Sequence, residues 1–386
     1  MRHLVRNCLA IALSLLGMHA AVATAAAAAP TSQYTMTVNK DRLQNALNEP
    51  QNWLMMNGDY GSIRYSKLTQ INRDNVKNMR MVWAMALGGM QDVGANGPEN
   101  EVNPLIDNGF MYTTDGWGTV YKIDARNPHK GEFVWICDPG VPHKGNVSRT
   151  RGIALWEDLV IANLPDGRVI GINRDNGEIV WDKKVLVANE FGKKERFYTA
   201  PIAADGKIII ANGAGDGKTR GWIAALDARS GKELWRWYAV PAPGEPGSET
   251  WKDKNQAWKT GGGGLWQTGS YDPVTRLTIW GTGNPIPQYD PQARPGDNLY
   301  TASVIAMKPR TGDSHCACRS IRAPGTIARA VRSTASTELP RTSTSIMAGI
   351  GRSGSRPVSP SHGLSSSASR SGIEAGSASW TSTASG

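Results

Sequence analysis

A segment closed by tryptophan recurs along most of this 386-residue chain. Each copy runs from a β-branched strand through a glycine-bearing turn to a second strand, and then through another turn to a third strand that ends in tryptophan. The tryptophans stand about 45–55 residues apart, at Trp83, Trp135, Trp181 and Trp235. This period is typical of propeller blades built from four antiparallel strands. We therefore predict an all-β propeller in which each tryptophan docks against the next blade.

The fourth copy begins at Arg276 and loses the pattern after Asp313. Residues 314–386 contain no lysine, no aspartate and one aromatic residue, Trp380. Such a composition does not bury a core, so 314–386 is predicted to be a low-complexity, disordered tail. A natural flexible tail and a reading-frame shift in a GC-rich gene both explain it, and we favour the frame shift. The partial propeller is then expected to occupy 30–313.

The first 29 residues have the layout of a secretory signal. Arg2 and Arg6 precede an apolar run at 9–16, and a stretch of small residues follows at 21–29. The apolar run is too short to span a bilayer. We therefore expect export to a bacterial periplasm, cleavage of the signal, and no stable membrane insertion. The three cysteines beyond it define no disulfide framework, and no Cys-x-x-Cys-His haem-attachment motif occurs.

The net charge of +10 is concentrated away from the repeats. Residues 314–386 hold eight arginines against Glu338 and Glu374, which accounts for +6 of that charge. The body of the chain carries no basic stripe with interleaved aromatic residues. Nucleic acid is therefore excluded as an expected partner.

The stretch 258–287 combines a glycine run at 261–264 with Trp266 and with Asn284 on a Gly/Pro-framed turn. Four consecutive glycines suit a place where the backbone passes close to a flat ligand, with the Trp266 indole beside it. The Asn284 amide oxygen is a donor that hard cations accept. A buried tryptophan followed by an ordinary loop asparagine explains this stretch equally well on its own.

The repeats, the Gly-Gly-Gly-x-x-Trp and Gly-Thr-Gly-Asn-Pro block, and the opening segment 53–66 together resemble the quinoprotein alcohol dehydrogenases. These enzymes use pyrroloquinoline quinone (PQQ) with calcium or a lanthanide. The resemblance covers about 43–313, and it implies an eight-bladed propeller of which only about the first half is legible here.

The resemblance also assigns residues to a site. It implies cofactor contacts by Glu101, Arg151, Gly213, Ala214, Gly215 and Trp266, and metal ligation by Asp216 and Asn284. Arg151 would meet an oxygen of the anionic cofactor, and Trp266 would form the floor under the planar quinone. Asp216 stands where the family usually has a glutamate, which is one methylene longer. Asp297 is interpreted as a turn or capping residue and is left out of the site.

The implied function is a periplasmic oxidoreductase. Hydride would pass from a primary or secondary alcohol to PQQ polarised by the metal, and electrons would leave to a cytochrome c. The family's catalytic aspartate is expected beyond Asp313, so no catalytic residue is assigned and this chain is expected to be inactive. A homodimer is left open. The alternative is a non-catalytic periplasmic β-propeller scaffold of the outer-membrane assembly type. A membrane-anchored sugar-oxidising quinoprotein is disfavoured, because several transmembrane helices would precede its propeller.

Overall fold

The computed structural model describes residues 37–88, 99–144, 146, 149–319 and 330–331. The predicted signal at 1–29 and nearly all of the predicted tail lie outside these residues. The chain divides into two units, 1–333 and 334–386, and every described residue belongs to the first. No helix in the described ranges has the length and apolarity that a membrane crossing requires.

Strands dominate the described residues. In chain order they are β1 (Glu99–Asn100), β2 (Leu105–Asp107), β3 (Phe110–Thr114), β4 (Val120–Asp124), β5 (Glu132–Cys137), β6 (Arg149–Thr150), β7 (Ile153–Trp156), β8 (Leu159–Asn163), β9 (Arg168–Asn173), β10 (Ile179–Lys184), β11 (Ile202–Ala204), β12 (Lys207–Ala211), β13 (Trp222–Asp227), β14 (Glu233–Tyr238), β15 (Ser270–Asp272), β16 (Leu277–Gly281), β17 (Ser303–Met307), β18 (Ser314–Arg319) and β19 (Ala330–Val331). One short α-helix, α1 (Lys40–Gln44), is accompanied by single 3₁₀ turns at Ala46–Asn48, Val76–Asn78, Gly215–Gly217, Ser248–Thr250, Ala257–Thr260 and Pro291–Ala293.

The strands form four successive antiparallel sheets, which we call blades 1 to 4. Their strand orders are β2-β3-β4-β5, β7-β8-β9-β10, β11-β12-β13-β14 and β15-β16-β17-β18-β19. In blade 2 every residue of β7 is buried, whereas five of the six residues of β10 are exposed. Blades 1 to 3 thus run from a largely buried first strand to a more exposed last strand. The prediction of an all-β propeller of which about half is present is confirmed.

The repeated tryptophan joins each blade to the next. The indole Nε1 of each one donates to a carbonyl in the turn between the third and fourth strands of the following blade: Trp135 to Arg174 O at 3.0 Å, Trp181 to Ala228 O at 3.2 Å and Trp235 to Pro309 O at 2.9 Å. The same turns carry glycines whose absent Cβ makes room for the ring, at Gly177, Gly231 and Gly312. The predicted docking of each tryptophan on the next blade is confirmed.

A second repeated contact, which the sequence reasoning missed, links the same blades at the same turns. An aspartate at the first hairpin of one blade pairs with an arginine of the next blade: Asp107 with Arg174 at 3.1 Å, Asp158 with Arg229, and Asp205 with Arg310 at 2.7 Å. The arginines follow the third strand in sequence, directly beside the carbonyls that receive the indoles. Each blade junction therefore combines a hydrogen-bonded indole with an ion pair.

Blade 4 continues past the boundary that the sequence indicated. β18 pairs with β17, and β19 with β18, over residues that were expected to belong to the tail, so the described part of the sheet extends to Val331 rather than ending at Asp313. Backbone pairing explains the difference, because a ladder of N–H and C=O groups does not require an apolar sequence. In register, Cys316 lies opposite Ala306, where blades 2 and 3 have Trp181 and Trp235 opposite the equivalent residue.

Asp205 makes the junction between blades 3 and 4 sensitive to acid. Burial raises the pKa of its carboxyl, but the Arg276 and Arg310 guanidinium groups outweigh burial and hold that pKa below the usual 3.8. Stability from this carboxylate is therefore present above pH 3.8 and is lost as the pH falls below it. We expect Asp205→Asn to cost about 1–2 kcal/mol at pH 7 and progressively less below pH 3.8.

Urea unfolding between pH 3 and 7 measures whether the free energies of unfolding of the wild type and the variant approach each other as the pH falls. Asp158→Asn is the matched control, since the side chains of Asp158 and Arg229 are 47% and 60% exposed and the pair is correspondingly weak. Parallel stability curves for Asp205→Asn and the wild type over the whole range would contradict the assignment.

Candidate functional site

The predicted site residues lie in connections at one end of the blades. Because neighbouring strands are antiparallel, the start of each first strand and the end of each second strand fall at the same end of a sheet. Glu101, Arg151 and Trp266 precede the first strands of blades 1, 2 and 4. The residues 213–216 follow the second strand of blade 3, and Asn284 follows the second strand of blade 4. The fold therefore directs all eight residues to one face.

Arg151 is the most firmly held of them. The Arg151 side chain is 11% exposed, and its guanidinium makes an ion pair with Glu101 at 2.7 Å. The Nη1 group donates to Tyr198 O at 2.7 Å and to Trp266 O at 2.9 Å. The short parallel pair β1 and β6 brings the two charged residues together, with Glu101 N donating to Thr150 O at 2.9 Å. A nearly buried cation thus stands between blade 2 and the segment that leads into blade 4.

Trp266 presents a broad indole surface. Its side chain is 48% exposed, and the Arg151 Cζ atom lies 5.7 Å from the ring centroid. Its neighbour Leu265 is fully buried and donates its N–H to Asn212 O at 2.9 Å. An exposed tryptophan on an anchored backbone offers a flat apolar platform beside a positive charge.

The glycine run packs against other backbone. A Cβ on Gly264 would lie 2.4 Å from the Gly215 N, and one on Gly221 would lie 2.0 Å from the Gly263 O. A Cβ on Gly213 would meet the Tyr198 ring at 2.8 Å. The glycines therefore let the connections of blades 3 and 4 touch directly. We interpreted the run as room for a flat ligand, whereas the structure fills that room with main chain.

The two predicted metal ligands lie on connections joined through Gly264. Asp216 is exposed within the turn Gly215–Gly217, whose first residue abuts Gly264. Asn284 is exposed directly after Gly283, whose N–H donates to Gly264 O at 2.9 Å. Within the ranges that the structure describes, no cluster of three or more His, Cys, Asp or Glu side chains could hold a metal ion. One carboxylate and one amide are thus brought to neighbouring connections.

Sequence reasoning missed two buried polar residues at this end. Asn163 is 6% exposed and Thr199 is 2% exposed, and neither Asn163 Oδ1 nor Thr199 Oγ1 has a hydrogen-bond partner among the described residues. The two are neighbours, because Asn163 Nδ2 donates to Thr199 O at 3.1 Å. Asp297 is exposed on the same β16–β17 connection as Asn284. A polar residue recurring at the end of each second strand (Thr114, Asn163, Asn212, Thr282) was the available signal.

Buried Asn212, which stands at the end of the second strand of blade 3, has hydrogen-bond partners for its whole side-chain amide. Its Oδ1 accepts from Arg196 N and Ala214 N, and its Nδ2 donates to Thr219 Oγ1 and Arg220 O. These hydrogen bonds fix the start of the connection 213–216.

Comparison with known proteins identifies the architecture. The family model described as the PQQ glucose/ethanol/alcohol dehydrogenase β-propeller domain matches residues 53–321. The chain belongs to this family. It is 34% identical over 320 residues to the dehydrogenase subunit of a quinone alcohol dehydrogenase from Gluconacetobacter polyoxogenes, which covers 74% of this chain and 42% of that protein.

Solved structures agree with this family. The quinohemoprotein alcohol dehydrogenase from Comamonas testosteroni superposes with a TM-score of 0.66 at 31% identity, covering 75% of this chain and 44% of that one. A europium-containing methanol dehydrogenase superposes with a TM-score of 0.61 at 26% identity, covering 71% of this chain and 50% of that one. The chain thus spans less than half the length of the quinone-dependent alcohol dehydrogenases that it matches.

The residues at this face fit a planar, anionic quinone. PQQ needs a cation for its carboxylates, a flat apolar surface for its rings and polar atoms for its ring oxygens. Arg151 and Trp266 supply the first two. Asn163 Oδ1 and Thr199 Oγ1, which have no hydrogen-bond partner in the described part of the chain, are buried polar atoms of the kind that a ligand satisfies. The oxygen donors Asp216 and Asn284 are of the type that a hard cation takes.

Proposed function

We propose that this face is the cofactor site of a quinoprotein alcohol dehydrogenase and that it binds PQQ together with calcium or a lanthanide. The observation that carries the proposal is the Arg151–Trp266 pair, in which a nearly buried guanidinium lies 5.7 Å from a half-exposed indole. Arg151 would hold a cofactor carboxylate while Trp266 supports the ring plane. Glu101 would keep the guanidinium oriented through its 2.7 Å ion pair.

The connection 213–216 and Asn284 would complete this half of the site. Backbone groups of Gly213, Ala214 and Gly215 would border the cofactor, and Asp216 with Asn284 would bind the cation. A hard cation takes about six to eight oxygen ligands, so these two side chains would supply part of its coordination. When bound, PQQ with its metal supplies an electrophilic carbonyl that accepts hydride.

The proposed substrate is a primary or secondary alcohol, and the proposed acceptor is a periplasmic cytochrome c. The names of its relatives support both, since they include an alcohol dehydrogenase (quinone) dehydrogenase subunit and a quinohemoprotein alcohol dehydrogenase. Export through the predicted signal would place the reaction in the periplasm. We also propose that the 386-residue chain does not turn over, because the described blades supply only one part of the wall around the cofactor.

Fluorescence titration tests the site. We expect PQQ with Ca²⁺ or a lanthanide to quench the tryptophan fluorescence of the purified chain. Trp266→Ala should remove most of this quenching. Trp237→Ala is a control tryptophan in outer strand β14, and it should leave the quenching amplitude from the site intact. A flat titration of the folded chain would favour the scaffold alternative, which needs neither Arg151 nor Trp266.

An assay of dye-linked alcohol oxidation by the same chain is the second test of the proposed function. Binding without turnover is the expected result, while turnover above background would overturn the proposed inactivity and leave the site assignment in place.

A further inference from the structure

Asn212 joins connections that belong to different blades. It is fully buried directly after β12, and its Oδ1 accepts from Arg196 N at 3.2 Å, in the connection that leads from blade 2 into blade 3. Its main-chain O accepts from Leu265 N at 2.9 Å, in the connection that leads into blade 4. One buried residue of blade 3 is therefore hydrogen-bonded to the connections on both sides of it.

Both of these neighbours lead to the Arg151–Trp266 pair. Leu265 directly precedes Trp266 in the chain. Arg196 lies two residues before Tyr198, whose O accepts from Arg151 Nη1 at 2.7 Å. The buried amide is thus fixed relative to the guanidinium on one side and to the indole on the other.

The same amide closes the loop that carries Asp216. Its Oδ1 accepts from Ala214 N at 3.0 Å, on the near side of the turn Gly215–Gly217. Its Nδ2 donates to Thr219 Oγ1 at 3.2 Å and to Arg220 O at 2.8 Å, on the far side of that turn. Fully buried Thr219 completes the closure, because its Oγ1 donates to Ala214 O at 2.9 Å. Asp216 therefore lies at the tip of a loop whose two limbs are hydrogen-bonded to each other at the base.

The position of Asp216 depends on this base. The turn Gly215–Gly217 is a three-residue piece of 3₁₀ helix with an exposed aspartate, and so short a piece has little stability of its own. A metal site needs donors that are held in place by the hydrogen bonds around them, and loss of such supporting hydrogen bonds lowers metal affinity about 10–100-fold.

We propose that Asn212, assisted by Thr219, is the positioning residue of the cation site, and that it holds Asp216 at a fixed place relative to the Arg151–Trp266 pair. This role rests on the proposed function. Asn212 acts through the loop that it closes, whereas Asp216 and Asn284 supply the oxygen donors. Its loss should therefore weaken cation binding while PQQ still finds its guanidinium and its indole.

Two dissociation constants of the full chain test the role. The first is that of PQQ in EDTA, read from tryptophan quenching, and the second is that of Ca²⁺ for the PQQ-loaded chain, read from the Ca²⁺-dependent change in the same signal. Asn212→Ala should raise the Ca²⁺ constant about tenfold or more. Thr219→Val keeps the side-chain shape and the Asn212–Arg220 hydrogen bond, so it should raise that constant by only about threefold. Both variants should change the PQQ constant in EDTA less than twofold.

Matched substitutions at the opposite end of the blades are the controls. Asn52 is buried, and its amide donates to Glu49 Oε2 and accepts from Asn108 N, beside the first hairpin of blade 1. Thr278 is fully buried near the start of β16, and its Oγ1 donates to Met307 O. Asn52→Ala and Thr278→Val should lose stability to urea as the two test variants do, and they should leave both dissociation constants within twofold of the wild type.

The outcomes separate this role from the proposed function. A folded wild type that responds neither to PQQ nor to Ca²⁺ would remove the cofactor site and the positioning role together. A wild type that binds both, with Ca²⁺ binding unchanged in Asn212→Ala and Thr219→Val, would overturn the positioning role alone. Equal losses of PQQ and Ca²⁺ affinity, or equal losses in the controls, would also overturn it, because they indicate a general loosening of the fold. If Asn212→Ala does not fold, the comparison of Thr219→Val with Thr278→Val decides.

Discussion

Arg151→Ala is expected to weaken PQQ binding about 100-fold, or by about 3 kcal/mol. The side chain is 11% exposed and its guanidinium is fixed by two carbonyls, so it meets an anionic cofactor already oriented and largely desolvated. Without it, a cofactor carboxylate would face Glu101 with no intervening positive charge. Fluorescence titration with PQQ at constant Ca²⁺ measures the loss. The PQQ affinity of Arg151→Lys should fall between those of the wild type and Arg151→Ala, because lysine keeps the charge but loses the paired N–H donors of the guanidinium.

Arg149→Ala is the matched control for that experiment. Arg149 lies two residues earlier, on β6, and its side chain and that of its partner Glu99 are 50% and 51% exposed. Removing an exposed pair of this kind should change the PQQ dissociation constant less than twofold. An equal loss for both variants would show that the effect is general electrostatics, and unchanged binding by Arg151→Ala would remove the residue from the site.

Trp181→Ala is expected to destabilise the apo-protein by about 3–5 kcal/mol, as large-to-small changes of buried aromatic residues do. The ring is 7% exposed and fills the space above Gly231, and its Nε1 donates to Ala228 O at 3.2 Å. Truncation opens a cavity between blades 2 and 3 and leaves that carbonyl without its donor. Urea unfolding followed by far-UV circular dichroism measures the change.

Two further variants separate packing from hydrogen bonding. Trp181→Phe keeps most of the ring and loses the donor, so it should cost about 1–2 kcal/mol. Trp266→Ala removes a half-exposed tryptophan that faces the site and should cost less than about 1 kcal/mol. A loss under 1 kcal/mol for Trp181→Ala would mean that the blades are held together by their other contacts.

The blades were predictable because their signals are local and repeated. Alternating strands, glycine turns and an evenly spaced tryptophan all lie within one segment, so the sequence alone predicted the contact that Trp135, Trp181 and Trp235 make. The aspartate–arginine pairs were not predictable in the same way. Their partners lie 67, 71 and 105 residues apart, from Asp107, Asp158 and Asp205 to Arg174, Arg229 and Arg310, so no local pattern matches each aspartate with its arginine.

The resemblance assigned Trp266 and Arg151 to one site, and the fold brings these two residues together; their contact with a cofactor stays a prediction. The glycines show the limit of that reasoning. A glycine indicates a close approach, but only the structure shows that Gly264 and Gly221 approach main chain. Buried atoms such as Thr199 Oγ1 could not have been identified, because a threonine in sequence does not reveal whether its hydroxyl is paired.

The contact of Gly264 with both neighbouring connections has a consequence for the choice of ion. Main chain packs directly on main chain there. The two connections that contain Asp216 and Asn284 therefore have no free space in which to move closer together or farther apart. The gap between the two oxygen donors is then adjustable only through side-chain length. In the proposed cation site, an aspartate at 216 in place of the glutamate that is usual in the family shortens the reach of this donor, so we expect the radius of the accepted cation to change with it.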